Sequence, residues 1–232
     1  MRERLASYQA CTPSVTLTPW SLVEPAAPLP RTSAVRRQLF GPFAKLGLLY
    51  SGNLGRAHDH TPFLALARRL RGTGIHVAFG VRGNRAEELA ASITPDDSNI
   101  HLAPFAPESE LESRLGAADV HLVSLSGGWS GVVVPSKFFG ALAAGRPVLF
   151  AGPADSDVAR WIRELKVGWV LDPSSLDALA GELVQLAGSP RRRAELQAHC
   201  HRVYQSTFSK SVVVEQWDRL LRGLLPRERR HA

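Results

Sequence analysis

Apolar and polar residues alternate along this chain in two interleaved rhythms. Leu46-Gly47-Leu48-Leu49-Tyr50 is a short apolar run that ends in Ser51-Gly52-Asn53-Leu54-Gly55. Such a run before a Gly-bearing turn predicts a strand. Phe63, Leu64, Leu66, Ala67 and Leu70 then recur at helical spacing, with Gly72 and Gly74 as the stop. The alternation continues, with strands expected at 75–80, 99–105, 119–125, 147–151 and 167–171. Helices are expected at 83–93, 107–116, 135–144 and 155–165, then at the Leu176, Leu179, Leu183, Leu186 repeat. Two more helices are expected near 190–205 and 209–225.

About six strands alternating with helices through short loops predict an α/β fold, a doubly wound, Rossmann-like parallel sheet covered on both faces. The expected strand order is 3-2-1-4-5-6. Three parts are expected along the chain. Residues 1–42 are an N-terminal helix (Arg2 to Ala10) and a proline-bearing linker, residues 43–206 the sheet domain, and residues 207–232 a final helix with a basic tail. The linker carries Pro13, Pro19, Pro25, Pro28 and Pro30 and too few large apolar residues for a core of its own. Trp217, Leu220, Leu221, Leu224 and Leu225 in the last helix either pack on the domain's own core or form part of an exposed apolar face.

In this topology a ligand sits outside the carboxyl ends of the strands, where the winding reverses between strands 1 and 4. The two most Gly-rich loops follow those strands: Ser51 to Arg56, and Ser124 to Gly131. Pro135-Ser136-Lys137 then opens a helix, where backbone N–H groups, a hydroxyl and a full positive charge suit a phosphate. The plainer alternative is a capping Ser136 and a solvated Lys137. Gly52 and Gly55 also read as ordinary turn glycines, and Gly80-Val81-Arg82-Gly83 as a simple strand-to-helix turn. His58 and Asp59 begin the first helix. His58 is placed to bond a phosphate or sugar, and Asp59 to bind or to cap.

The net charge of +7 is concentrated at one end, since residues 190–232 hold nine Arg and one Lys against three Glu and one Asp. Arg191, Arg192 and Arg193 form one cluster, and Arg227, Arg229 and Arg230 another. They read as a solvated tail or as peripheral contact with an anionic membrane. No aromatic-interleaved basic motif points to nucleic acid. No run of apolar residues is long enough to span a bilayer, and no secretory signal opens the chain. Cys11 and Cys200 lie far apart, outside any metal-type spacing, as suits a reducing cytoplasm. There is no GxxxxGK[ST] loop, no GxGxxG after strand 1, no GxSxG and no HExxH.

Three segments carry a family resemblance: LLYSGNLGRAHD (48–59), VVVPSKFFGALAAGRPVLFAGP (132–153) and DSDVARWIRE (155–164). Through them the chain resembles the C-terminal, donor-binding half of family 4 GT-B glycosyltransferases, of the bacterial polysaccharide and N-acetylfucosamine-transferase type. The opening RERLASYQA is similar to the end of that family's N-terminal domain, and the last helix to the one that returns to it. The resemblance implies a retaining hexosyl or N-acetylhexosaminyl transferase using a nucleotide-diphosphate sugar, commonly a UDP-sugar. It also implies a polysaccharide or lipid-linked acceptor, no cofactor, no metal and an acceptor-binding partner domain or chain. Gly52, Asn53 and Gly55 would meet the diphosphate, while Ser136 and Lys137 stabilise its charge, with Arg56 and Lys137 catalytic.

This chain departs from the family in places. Asn53 and His58 stand where many members have Arg and Lys. Gly140 stands where the second of two glutamates is common, and the first falls near Val132. Asp155 and Asp157 are therefore candidates for the donor's ribose or sugar, with helix capping as their alternative. Two other functions stay open: a non-catalytic nucleotide-sugar-binding module or truncated relic, and a UDP-sugar epimerase relative.

Overall fold

The structure, a computed structural model, describes residues 15–31 and 33–224. The expected helix at Arg2 to Ala10, Cys11, Pro13, Leu225 and the arginines at 227, 229 and 230 lie outside the described residues.

The chain forms β1 (Leu46–Asn53), β2 (Ile75–Arg82), β3 (Ile100–Leu102), β4 (Val120–Ser124), β5 (Val148–Ala151) and β6 (Gly168–Leu171). They make one sheet in the order β3-β2-β1-β4-β5-β6, and every pairing is parallel. The expected order is the observed one. Its cause is visible in β1, where Leu46 to Tyr50 are all buried. Leu46, Leu48 and Tyr50 point into one core and Leu49 into the other, so an unbroken apolar run serves both faces.

On the first face lie α2 (Thr61–Arg69) and α7 (Leu176–Gly188), the latter through Leu179, Leu183 and Leu186. On the other lie α5 (Lys137–Ala143), α6 (Asp157–Leu165) and α8 (Pro190–Val203). The short α3 (Ala86–Ala91) follows β2 and α4 (Leu111–Ala117) follows β3. Phe63 and Leu66 of α2 are each 1% exposed, a burial that contributes about 1.5–3 kcal/mol per side chain.

Residues 33–40, read from sequence as extended linker, are a helix, α1 (Ser33–Phe40). Its Leu39 and Phe40 join Leu49, Ala78, Ala117 and Ala118, so it borrows the domain's core rather than building one. Asp119 fastens it: the side chain is 1% exposed, accepts from the Gly47 N–H at 2.8 Å, and meets Arg36 at 2.8 Å and Arg31 at 3.3 Å. A π turn, Tyr204–Phe208, joins α8 to α9 (Lys210–Leu224). Val213 of α9 is buried, but Trp217, Leu221 and Leu224 are exposed, which decides against packing on the domain's own core. Among the described residues no helix is long and apolar enough to cross a membrane.

Candidate functional site

The strands part where the topology requires it. β1 pairs with β4 at Leu48 and Leu49, then continues beside β2 alone until Asn53 meets Arg82. In this topology the ligand crevice falls between the diverging ends. Strand β1 is thus longer than its apolar run, and Gly52 and Asn53 belong to the strand rather than to the loop after it.

Three hydrogen bonds stitch the two loops together. The His58 Nδ1 lies 2.8 Å from the Ser124 carbonyl, the Asp59 N–H donates to Ser124 Oγ at 3.2 Å, and the Ser126 N–H donates to the Ala57 carbonyl at 2.8 Å. Since a carbonyl only accepts, His58 carries its proton on Nδ1 there. Burial and the charge of Lys137 hold the ring's pKa below its ordinary value. A neutral His58 therefore offers only a lone pair at Nε2, which suits a hydroxyl and not a phosphate. Asp59 sits one residue before the helix's N-cap, His60, and accepts from the Thr61 N–H at 3.0 Å.

Lys137 reaches across the crevice. Its ammonium donates to the Asn53 carbonyl at 3.0 Å and lies 5.2 Å from the centre of the Tyr50 ring. Burial lowers its pKa to about 8. The helix behind it is firmly seated, because Phe138 and Phe139 pack on Trp161 and Phe208 at ring separations of 5.4 to 5.8 Å. The helix starts at Lys137, not at Pro135. The Phe138 and Phe139 N–H groups are engaged by the carbonyls of Pro135 and Ser136, and Ser136 makes no side-chain cap bond.

The glycines have separate tasks. Gly52 has φ +123°, and a Cβ there would stand 2.8 Å from Lys137 Cε. Gly83, at φ +119°, leaves room for the Asn53 amide, whose Oδ1 is 2.5 Å from where a Cβ would be. Gly55 is less demanding, with its nearest neighbour, Asn53 Nδ2, at 3.5 Å. Arg56 is exposed in the turn and makes no ion pair among the described residues. Position 140 looks toward Ser21 and Leu115.

At the start of α6 the cap is Ser156, which accepts from the Ala159 N–H at 3.3 Å, so neither neighbouring aspartate caps. Asp155 is exposed. Asp157 pairs with Arg160 and lines a small apolar hollow with Leu125, Val133 and Pro135. Two arginine contacts here escape the sequence reading. Arg82 lies 4.1 Å from the centre of the Phe105 ring at the end of β2. Arg85 clamps the loop by donating to the His58 carbonyl while paired to Glu88. Arg82 sat in a recognisable turn, but no local pattern announces either contact.

The fold is an α/β, Rossmann-like one with a switch point between β1 and β4, and comparison with known proteins supports a GT-B glycosyltransferase C-terminal domain. No family profile matches the sequence. A protein of Pseudomonas aeruginosa named as a glycosyltransferase, WbjE, is 26% identical over 220 residues, 91% of this chain and 52% of its own length. WcaI of Escherichia coli K12, named as a colanic acid biosynthesis glycosyl transferase, is 26% identical over 192 residues, 82% of this chain and 46% of its own. The chain thus spans about half the length of these curated relatives. S. aureus TarM superposes at TM-score 0.65 with 14% identity, over 94% of this chain and 42% of that one. The C-terminal domain of LpcC from Francisella tularensis superposes at 0.59 with 15% identity, over 81% and 99%.

Proposed function

We propose that this chain binds the nucleotide-diphosphate sugar, a UDP-sugar, for a retaining glycosyltransferase acting on a polysaccharide or lipid-linked acceptor. The observation that carries the reading is the Lys137 ammonium laid against the end of β1, at a crevice whose two loops are bonded to each other. A diphosphate there meets Lys137, the Ser136 hydroxyl and backbone at Gly52, Asn53 and Gly55, with Arg56 as a second mobile charge. As the sugar departs, negative charge grows on that diphosphate, and a cation already in place lowers the barrier.

His58 Nε2 and the carboxylates of Asp155 and Asp157 accept from ribose or sugar hydroxyls, and Arg82 on Phe105 offers a flat cationic face at the β2 end. TarM and the pneumococcal O-GlcNAc transferase GtfA, both of this fold, were crystallised with UDP, which supports the choice of nucleotide. The acceptor-binding surface lies on another domain or chain, and residues 1–42, 43–206 and 207–232 serve as linker, donor domain and returning helix. Peripheral contact with an anionic membrane on the cytoplasmic side belongs to the same reading. Not all of the basic end is free for it. Arg193 caps the Leu186 and Ala187 carbonyls at 3.0 and 2.7 Å, and Arg191 pairs with Glu195.

Calorimetric titration with UDP, GDP, ADP and NAD tests the proposal. UDP is expected to bind most tightly. Failure of all four to bind sinks it.

A further inference from the structure

A second concavity lies at the opposite end of the sheet, where β6 begins. It has a volume of about 510 Å³ and runs between α6, α7 and α8. One wall is Trp169, whose indole N–H donates to Glu182 at 2.7 Å and fixes the ring. Lys166 and Arg192 line the groove, and neither side chain makes a hydrogen bond or ion pair among the described residues. Of the other lining charges, Glu182 holds the indole, Glu195 meets Arg191 through Oε1, and Arg163 donates to the Ala154 carbonyl at 2.6 Å.

The second observation is backbone strain. Lys166 closes α6 at φ 56°, ψ 40°, the described residues' one non-glycine with positive φ. Glycine is the residue that occupies such a helix end without strain. The turn is closed by the Lys166 N–H on the Ile162 carbonyl, and it leaves the lysine side chain exposed at the groove.

We infer that this groove is a binding site for an acidic oligosaccharide, separate from the donor crevice. The chemistry matches part by part. The apolar face of a sugar ring packs on an indole. Lys166 and Arg192 offer free donors to an anion, which a uronate carboxylate supplies. The carboxylates of Glu182 and Glu195 accept sugar hydroxyls. A neutral glycan leaves both cations unmatched, and a simple anion leaves the indole wall bare.

The test is calorimetric titration of the whole chain with oligogalacturonate. Maltohexaose and inorganic phosphate serve as comparison probes, with and without saturating UDP. Oligogalacturonate is expected to bind roughly tenfold or more tightly than either comparison probe, and UDP to leave that binding unchanged. Lys166→Gly is the deciding variant. A lysine that merely ends the helix would leave binding untouched when replaced. The inference expects a melting temperature equal to or above the wild type's, with affinity lowered by roughly tenfold. Arg192→Gln is expected to weaken binding in the same direction. Absent binding, equal binding of maltohexaose or phosphate, competition by UDP, or an unchanged affinity in Lys166→Gly each overturns the inference. A chain that ignores UDP but binds oligogalacturonate in this way removes the proposed donor function and leaves this site standing.

Discussion

Lys137 crosses the end of β1 only because Gly52 has no side chain. A Cβ at position 52 would stand 2.8 Å from Lys137 Cε, and the backbone there, at φ +123°, disfavours any L side chain. One position thus combines a conformational need with a steric one. Both serve the placement of a single ammonium group, 3.0 Å from the Asn53 carbonyl.

Gly52→Ala therefore strikes fold and site together. The strained backbone is expected to cost about 1–3 kcal/mol, measured as a shift in the urea midpoint. Displacement of Lys137 is expected to weaken UDP binding as well. An alanine variant with wild-type stability and wild-type affinity would show that the glycine is incidental.

Lys137→Met separates the two effects. The half-buried ammonium has one carbonyl and the Tyr50 ring for partners and no carboxylate, so burial disfavours its charged form. Replacing it with an apolar chain of similar length is expected to leave stability equal or higher. UDP affinity is expected to drop by about tenfold or more, the worth of one charge-assisted bond. A loss of stability with intact UDP binding would assign Lys137 a structural role instead.

The pH dependence follows from the same group. Its folded pKa, about 8, lies below the ordinary 10.5. A lowered lysine pKa means that the folded chain releases the proton first. Raising the pH from 7 to 9 is then expected to lower UDP affinity by about tenfold, as the protonated fraction falls. Between pH 8 and 10.5 the unfolded chain holds the proton that the folded chain has lost, so this group's contribution to stability rises with pH. Titrations at several pH values check the first expectation, and Lys137→Met should flatten the curve.

The sheet was legible because its signals are local. Short apolar runs such as Leu46 to Tyr50 end at glycines, and Leu179, Leu183 and Leu186 keep helical spacing. The switch point followed from strand order alone. What stayed hidden depends on distant partners. Helix α1 carries only Leu39 and Phe40 as deep anchors, and its fastening runs through Asp119, some eighty residues away in sequence. The capping of α6 by Ser156 rather than by either flanking aspartate turns on backbone angles that composition does not encode. Both segments that meet where Gly52 touches Lys137 were legible as site candidates but their contact was not, and Arg82 on Phe105 joins the end of β2 to a residue with no signal of its own.

Arg146 offers a test of the strap that precedes the domain. Its buried guanidinium donates to the carbonyls of Ala118, Ala144, Gly145, Gly116 and Leu29 at 2.6 to 3.3 Å. The strap is held a second time where the Leu29 N–H meets the Ala144 carbonyl at 3.1 Å. Desolvation lowers the guanidinium's pKa to about 10, so it stays charged at neutral pH. Arg146→Met leaves several buried carbonyls without a donor, at an expected cost of about 3 kcal/mol or more. For a chain of this size that is a fall of roughly 6–12 °C in melting temperature. Arg146→Lys is expected to recover little, because an ammonium cannot span the carbonyls that a planar fork reaches. Arg146 precedes the amino end of β5, away from Lys137, so UDP affinity measured below the variant's melting range should be unchanged. Limited proteolysis near Leu29 should accelerate in both variants; cleavage at the wild-type rate would mean that the strap's other attachments suffice, among them Asp119 and the bonds of Tyr204 to Ser21 and Glu24 and of His201 to the Pro25 carbonyl.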